Sequence, residues 1–409
     1  MTSLDAVRPP RPARLDPPDE EFLARLRGPV TGAPLEPAGP GLLRDGDTLW
    51  PCLDGIPYLR LAREELRDEA VAAIRRGDTD HALAVLIADR KDASVPPVDP
   101  AALRTAVAAV ESGAATAAMV MDHLSYGGLG TYFLHRWCLP TLLSGQALLE
   151  AHAPPGGTLF EVGCGAGHFL RTWEAGSGRA IGSDLVFSHL WLARHFTAPR
   201  AWLVCFDAAG PFPLADGTAD VCLTHDSFHY FPDKPHAFRE LRRIARHERV
   251  LLGHTHNAEA PNYAPGAPLT VPEYAALLRP RLAYDDAALT RAALTGAAAE
   301  AAAPDALRAA SALAFVHGPA AAPSPPGWLT APRAGRPLRV NPLLTPGGPV
   351  WPTAQFAREF VEGWPYLGAL AHPGPGAAAA AEAGGSGTDP LIDRLARQRV
   401  LLDLPDRWL

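Results

Sequence analysis

Cysteine, long apolar runs and any excess of positive charge are scarce in this chain of 409 residues. Its five cysteines, Cys52, Cys138, Cys164, Cys205 and Cys222, lie far apart, which excludes a disulfide framework and leaves reduced, mostly buried thiols of a cytoplasmic protein. No stretch reaches the ~18 apolar residues of a membrane span, and Met1 to Pro18 are rich in proline, arginine and aspartate. Neither a membrane partner nor a signal peptide is expected. A net charge of −7 argues against a surface that follows a phosphate backbone, so nucleic acid is not an expected partner. The length allows two or three domains at ~100–200 residues each.

What is present is a strand that runs through an acid into alternating glycines: Thr158-Leu-Phe-Glu161-Val-Gly163-Cys164-Gly165-Ala-Gly167. Such glycines let the backbone approach a ligand where a Cβ would collide, and the helix that follows, Gly167 to Glu174, begins with free N–H groups. Alone, the turn is a weak signal. The sequence after it strengthens the reading. Arg179-Ala-Ile-Gly-Ser-Asp184 ends in an acid one strand-helix-strand unit downstream, where a carboxylate can accept from both ribose hydroxyls. Ala201 to Asp207 ends the same way, Pro211 to Thr224 supplies a turn and a fourth strand, and a helical pattern over Lys234 to Arg246 leads to a fifth, Arg249 to Gly253. This alternation predicts an α/β fold whose parallel sheet binds ligands at the carboxyl ends of its strands.

These residues resemble the class I S-adenosylmethionine-dependent methyltransferases of the small-molecule branch, whose first motif is an acid followed by glycines at alternate positions, here Glu161 through Gly167. The likeness continues through Asp184, Phe206-Asp207 and the stretch Pro211 to Pro232. It implies a Rossmann-like seven-stranded sheet, S-adenosyl-L-methionine as cofactor and a small-molecule methyl acceptor. It further implies Glu161 near the methionine end of the cofactor, with Gly163, Cys164, Gly165 and Gly167 lining it. Asp184 with Leu185 would hold the ribose, Asp207 with the Ala208 backbone would read the adenine edge, and Thr224 and His225 would close the site. Asp207 is alternatively a turn cap. The competing reading, a dinucleotide dehydrogenase, spaces its glycines G-x-G-x-x-G without this acid in front.

Around this core, residues 1–25 are expected as a disordered arm. Residues 26–60 resemble the short zinc-ribbon family that activates or precedes many methyltransferases, most specifically in Asp54-Gly-Ile-Pro-Tyr-Leu59. A structural zinc site wants four ligands, and only Cys52 is kept. The resemblance therefore implies a metal-free β-ribbon held by Leu35, Leu42, Leu49, Trp50, Ile56 and Tyr58, with a structural or docking role. Residues 61–150 read as a helical spacer and cofactor lid. One helix there is capped by Asp99 ahead of Pro100, and Tyr126 and Tyr132 serve either as an amphipathic wall for the cofactor or as core residues. The methyltransferase domain is expected over 151–350, with a helical insertion at 257–310 after strand five, placed over the methyl donor. Ser311 to Val316 and Pro337 to Pro342 are expected as a closing antiparallel hairpin. In 351–409 the reading is a helix at Thr353 to Glu362, a disordered linker over 373–387 and an amphipathic tail that docks back.

Methyl transfer is an in-line displacement in which positioning does most of the work, and a base is needed only where the acceptor must lose a proton. His229 is the expected base, with Asp226 as the second catalytic residue; the structural alternative for His229 is a packed core histidine. His254 and His256 share one face of a strand and raise metal binding, but no third ligand is fixed in sequence, so no metal is expected. Three functions follow: a methyltransferase acting on a small or medium-sized metabolite, a ribosomal or transfer RNA methyltransferase, or a catalytically silent cofactor-binding partner. The methyl acceptor and the oligomeric state are open.

Overall fold

A computed structural model describes residues 14–90, 97–176, 178–261, 266–321, 324 and 327–409. The first half of the expected arm, residues 1–13, lies outside the described residues. Four short strands come first: β1 (Glu36–Pro37), β2 (Leu42–Asp45), β3 (Thr48–Leu53) and β4 (Ile56–Pro57), paired antiparallel in chain order. The main sheet is formed by β5 (Thr158–Val162), β6 (Arg179–Asp184), β7 (Trp202–Cys205), β8 (Val221–His225), β9 (Val250–His256), β10 (Leu282–Asp285) and β11 (Ala312–His317). Its order is β10-β11-β9-β8-β5-β6-β7. Strands β5 to β9 run parallel, and β11 pairs antiparallel with both β9 and β10.

The parallel strands read as nearly continuous apolar runs because helices cover both of their faces; Leu159, Phe160, Ile181, Leu203, Leu223 and Leu251 are fully buried. From β5 the chain builds outward through β6 and β7 and then crosses to the other side for β8 and β9. That reversal opens a crevice beyond the carboxyl ends of β5 and β8, where open α/β sheets bind ligands.

The ribbon β1–β4 docks on the free edge of this sheet. Leu59 N donates to Cys205 O at 2.7 Å, and Tyr58 bridges Cys205 in parallel, so the ribbon covers the edge strand β7 and removes an open template for pairing. Leu35, Leu43, Trp50 and Cys52 share one core with Phe160, Trp202 and Phe212. Asp54, held at φ 52°, accepts from Trp191 Nε1 at 2.9 Å and from His195 Nε2 at 3.1 Å. The Asp-Gly-Ile-Pro-Tyr phrase thus ties the ribbon to the helical layer beside β6 and β7.

Several expectations are corrected. Residues 20–25 of the arm form the helix Glu20–Arg25, capped by Asp19 and anchored by Phe22 stacking on Trp202. The sixth strand is β10, inside the expected insertion 257–310. The helix Val271–Leu278 is therefore the ordinary crossover from β9, and the true insertion lies between β10 and β11. Arg339–Val340, expected as the closing strand, pairs instead with Leu401–Leu402 in a separate two-stranded sheet. The expected linker 373–387 contains the helix Pro375–Glu382, which buries Ala381 against Leu338, Ile392 and Leu401. The tail does dock back: Ala117 N donates to Arg407 O at 2.8 Å, and Trp408 Nε1 donates to Leu134 O at 3.0 Å.

Candidate functional site

At the crevice the turn after β5 is shaped by backbone that only glycine adopts cheaply. Gly163 has φ 75° and Gly165 φ 52°, and a Cβ on Gly163 would stand 2.7 Å from the Ser227 side chain, far inside contact distance. Gly163 N and Cys164 N both donate to Ser183 O, at 2.8 and 2.9 Å, which locks the turn to the end of β6. Gly167, at φ 78°, caps the helix His168–Ala175.

Glu161, the penultimate residue of β5, is fully buried, and neither carboxylate oxygen has a hydrogen-bond donor among the described residues. Burial pushes its carboxyl up to about 8, partly offset by the nearby Arg136 charge. A buried acid without a partner is costly; Glu161 itself stands behind the cavity, whose wall there passes through Val162 and Gly163. Asp184 differs. Its Oδ2 accepts from Gly165 N at 2.9 Å, and its Oδ1 accepts from Val186 N at 2.9 Å and His189 Nδ1 at 3.1 Å. Burial alone would raise it, but the His189 charge and these hydrogen bonds hold it below the usual carboxylate range. A carboxylate has about four acceptor sites, so one remains for a ligand hydroxyl. Asp207 Oδ1 accepts from Ala209 N at 2.9 Å, the turn-capping arrangement, while Asp207 and Ala208 also line the crevice.

The crevice opens into a cavity of about 1320 Å³, larger than the ~300–1,000 Å³ of a site for one small ligand. At one end stand Gly163, Gly165, Asp184, Leu185, Asp207 and Ala208; at the other stand Tyr132, Arg136, Asp226, His254, His256 and Glu359. Tyr132 Oη donates to Asp226 Oδ2 at 2.7 Å and is stacked on by Phe360, ring centroids 5.7 Å apart. Burial would raise Asp226, but the charges of His254 and Arg136 and the Tyr132 bond keep it low. His254 Nδ1 lies 2.7 Å from Asp286 Oδ2; burial works against its charge, yet the Asp286 carboxylate raises it to about 9. Burial lowers His256 to about 4.

The cavity is covered by the helix Ala354–Phe360 and its flanks, with Phe356, Arg358, Glu359 and Trp364 on the wall. The expected insertion contributes less, through Pro261 and Asp285 to Ala287. Some expected site residues stand behind the wall. Tyr126 bonds Ser188 Oγ at 2.7 Å, Thr224 Oγ1 bonds Ser227 Oγ at 2.8 Å, and Cys164 is fully buried. His225 reaches the wall but sits between Ser144 and Phe169.

His229, expected as the base, is 1 % exposed and does not reach the cavity, whose wall there passes through Tyr230 and Phe231. Burial lowers its imidazole to about 3, which leaves a poor proton acceptor at neutral pH. Sequence reasoning missed Arg136, Asp286 and Glu359. Arg136 sits at a helix junction without a motif, where its guanidinium lies over the Tyr132 and Phe169 rings.

Residues 160–252 match the family model described as a methyltransferase domain. The malonyl-[acyl-carrier protein] O-methyltransferase of Serratia marcescens is 33 % identical over 98 residues, 24 % of this chain and 38 % of that protein. The protein of the same name from Erwinia pyrifoliae is 36 % identical over 104 residues, 25 % of this chain and 38 % of its own length. The chain thus spans 38 % of the length of each of these curated relatives. Among solved structures, a complex containing the Haloferax volcanii Trm112 methyltransferase activator is similar, with 20 % identity, 39 % of this chain and 74 % of that chain covered, and a TM-score of 0.32. Among the described residues no helix is long and apolar enough to cross a membrane.

Proposed function

We propose that the chain is an S-adenosylmethionine-dependent methyltransferase whose acceptor is a small or medium-sized metabolite. The carrying observation is the glycine turn on the cavity wall, tied through Gly165 N to the strand-end acid Asp184, at the switch point of a sheet within the segment that matches a methyltransferase domain. The fit with the cofactor is chemical. Glu161 would face the cationic methionine end, the glycines would admit its backbone-hugging centre, Asp184 would accept from the ribose, and Asp207 with Ala208 would meet the adenine edge.

When bound, the cofactor supplies an electrophilic methyl group on a sulfonium. The protein's share is to hold the acceptor in line and to keep water out. Asp226, aimed by the Tyr132 hydrogen bond, and Arg136 would orient polar groups of the acceptor, and Phe356, Phe360 and Trp364 would exclude solvent. The cover formed by the helix Ala354–Phe360 supports a compact acceptor rather than a polymer, and the size of the cavity leaves room for one beside the cofactor. The ribbon β1–β4 serves as a docked brace for β7.

The test is transfer of a labelled methyl group to a low-molecular-weight extract fraction. Ribonuclease treatment should leave the labelled product intact. Label entering ribosomal or transfer RNA would overturn the metabolite reading, and cofactor binding without any transfer would point to the catalytically silent partner.

A further inference from the structure

The chain ends of β8 and β9 bring Asp226, His254 and His256 together, with one ligand-type atom from each lying within 4.8 Å of the others. We propose that these three side chains form a binding site for one first-row divalent transition-metal ion of the zinc class, with its open positions facing the acceptor end of the cavity. Binding of the ion stands on this geometry alone; its role as an anchor for an oxygen donor of the acceptor rests on the methyltransferase reading.

Three observations point to a ligand here. First, Asp226 Oδ1 and His256 Nε2 are 3.9 Å apart, too far for a hydrogen bond and close to the ~3–3.5 Å that separates two donors each about 2.0–2.2 Å from one ion. The other Asp226 oxygen is held by Tyr132, which leaves Oδ1 for the site. Second, the His254 Nδ1 contact with Asp286 is the carboxylate-histidine arrangement that orients a metal-binding imidazole and leaves Nε2 as its ligand atom. Third, Asp226 and His254 both adopt left-handed backbone, φ 56° and 45°, and the β9–β11 register shifts between Leu313 and Phe315, opposite His254. Strained backbone and bulges of this kind re-aim side chains at functional sites.

The donor set decides the class of ion. Two imidazoles and one carboxylate suit zinc, cobalt, manganese or ferrous iron rather than calcium or magnesium, which prefer oxygen ligands throughout. Three protein donors with free positions is the composition of a site that keeps room for a substrate or water, rather than of a closed structural one.

Untagged full-length protein, stripped with a chelator and dialysed, is titrated with Co²⁺ followed by visible absorption and with Zn²⁺ in competition against a chromophoric chelator. The expected result is one saturable equivalent per chain. Asp226→Ala and His256→Ala should each weaken binding at least tenfold, and Asp286→Asn, which keeps all three ligands, about 10–100-fold. Circular dichroism melts identify any variant that fails to fold, in which case the remaining variants decide. No saturable uptake by the parent protein, or uptake unchanged in the folded variants, overturns the site. A parallel titration with S-adenosylmethionine separates the two readings: cofactor binding without cation uptake sinks the metal site alone, and cation uptake without cofactor binding sinks the methyltransferase reading alone.

Discussion

At the donor end of the cavity most wall residues come from one stretch of alternating strands and helices, Gly163 to Ala208, with Phe133 packed on His189 beside them, whereas the acceptor end gathers Tyr132 and Arg136, Asp226, His254 and His256, Asp286, and Glu359 from widely separated segments. The donor end is held by backbone, through Gly163, Cys164 and Gly165 tied to β6. The acceptor end is held by side chains, Tyr132 to Asp226 and His254 to Asp286. A backbone-built site needs only glycines and strand-end acids at the right spacing. A side-chain-built site depends on tertiary neighbours, so its identity can change while the donor end stays the same.

The largest effect that would test this division comes from Glu161→Gln. The folded-state carboxyl is raised to about 8 by burial, so from the ordinary carboxylate range up to that value the folded chain keeps a proton that the unfolded chain has released. The stability contribution of the protonated acid is complete below the unfolded value and is lost as pH rises through about 8. Glutamine removes that loss. Without ligand, the variant should melt higher than the parent at pH 8, with the gap closing toward pH 4. Its affinity for S-adenosylmethionine should fall by about 1.5–3 kcal/mol, as for a lost hydrogen bond to a charged group. Stability and affinity moving in the same direction would show that Glu161 does not face the cofactor.

Tyr132→Phe probes the other end. Removing the donor to Asp226 Oδ2 leaves that oxygen without its partner and should lower kcat/KM by about 1–3 kcal/mol in transition-state stabilisation. Cofactor affinity should stay within about twofold, inside the range expected for a distant site. An equal loss in both would mean that the two ends are one unit.

Phe360→Ala is the mildest. Its stack on Tyr132 is worth about 0.5–1.5 kcal/mol, so KM for the acceptor should rise by up to about tenfold while kcat changes little. A fall in kcat with KM unchanged would instead place Phe360 in a closing motion.

The same division explains what could be read from the chain. The glycine turn, Asp184 and Asp207 are local patterns, each set within a few residues, and the structure places them side by side. The sixth strand is hard to read because Leu282-Ala-Tyr-Asp285 is only four residues long and runs straight into a helix that Asp285 caps, so the stretch reads as helical. Pro337 to Pro342 does not close the main sheet because its two strand residues, Arg339 and Val340, pair with Leu402 and Leu401, more than sixty positions on. The family resemblance implies His229 facing the substrate, but the chain leaves β8 through left-handed Asp226 into the 3-10 turn Phe228–Tyr230. That turn rotates Asp226 into the cavity and His229 behind it. The pairing of His254 with Asp286 spans 32 residues, and nothing local to either residue announces it.

The most direct test of the account is calorimetric titration of S-adenosylmethionine into ligand-free, folded parent protein. The expected result is one site per chain with micromolar-scale affinity, accompanied by a rise in melting temperature that grows with ligand concentration. No heat and no shift from protein that melts cooperatively, or saturable binding of a nicotinamide dinucleotide in its place, would contradict it.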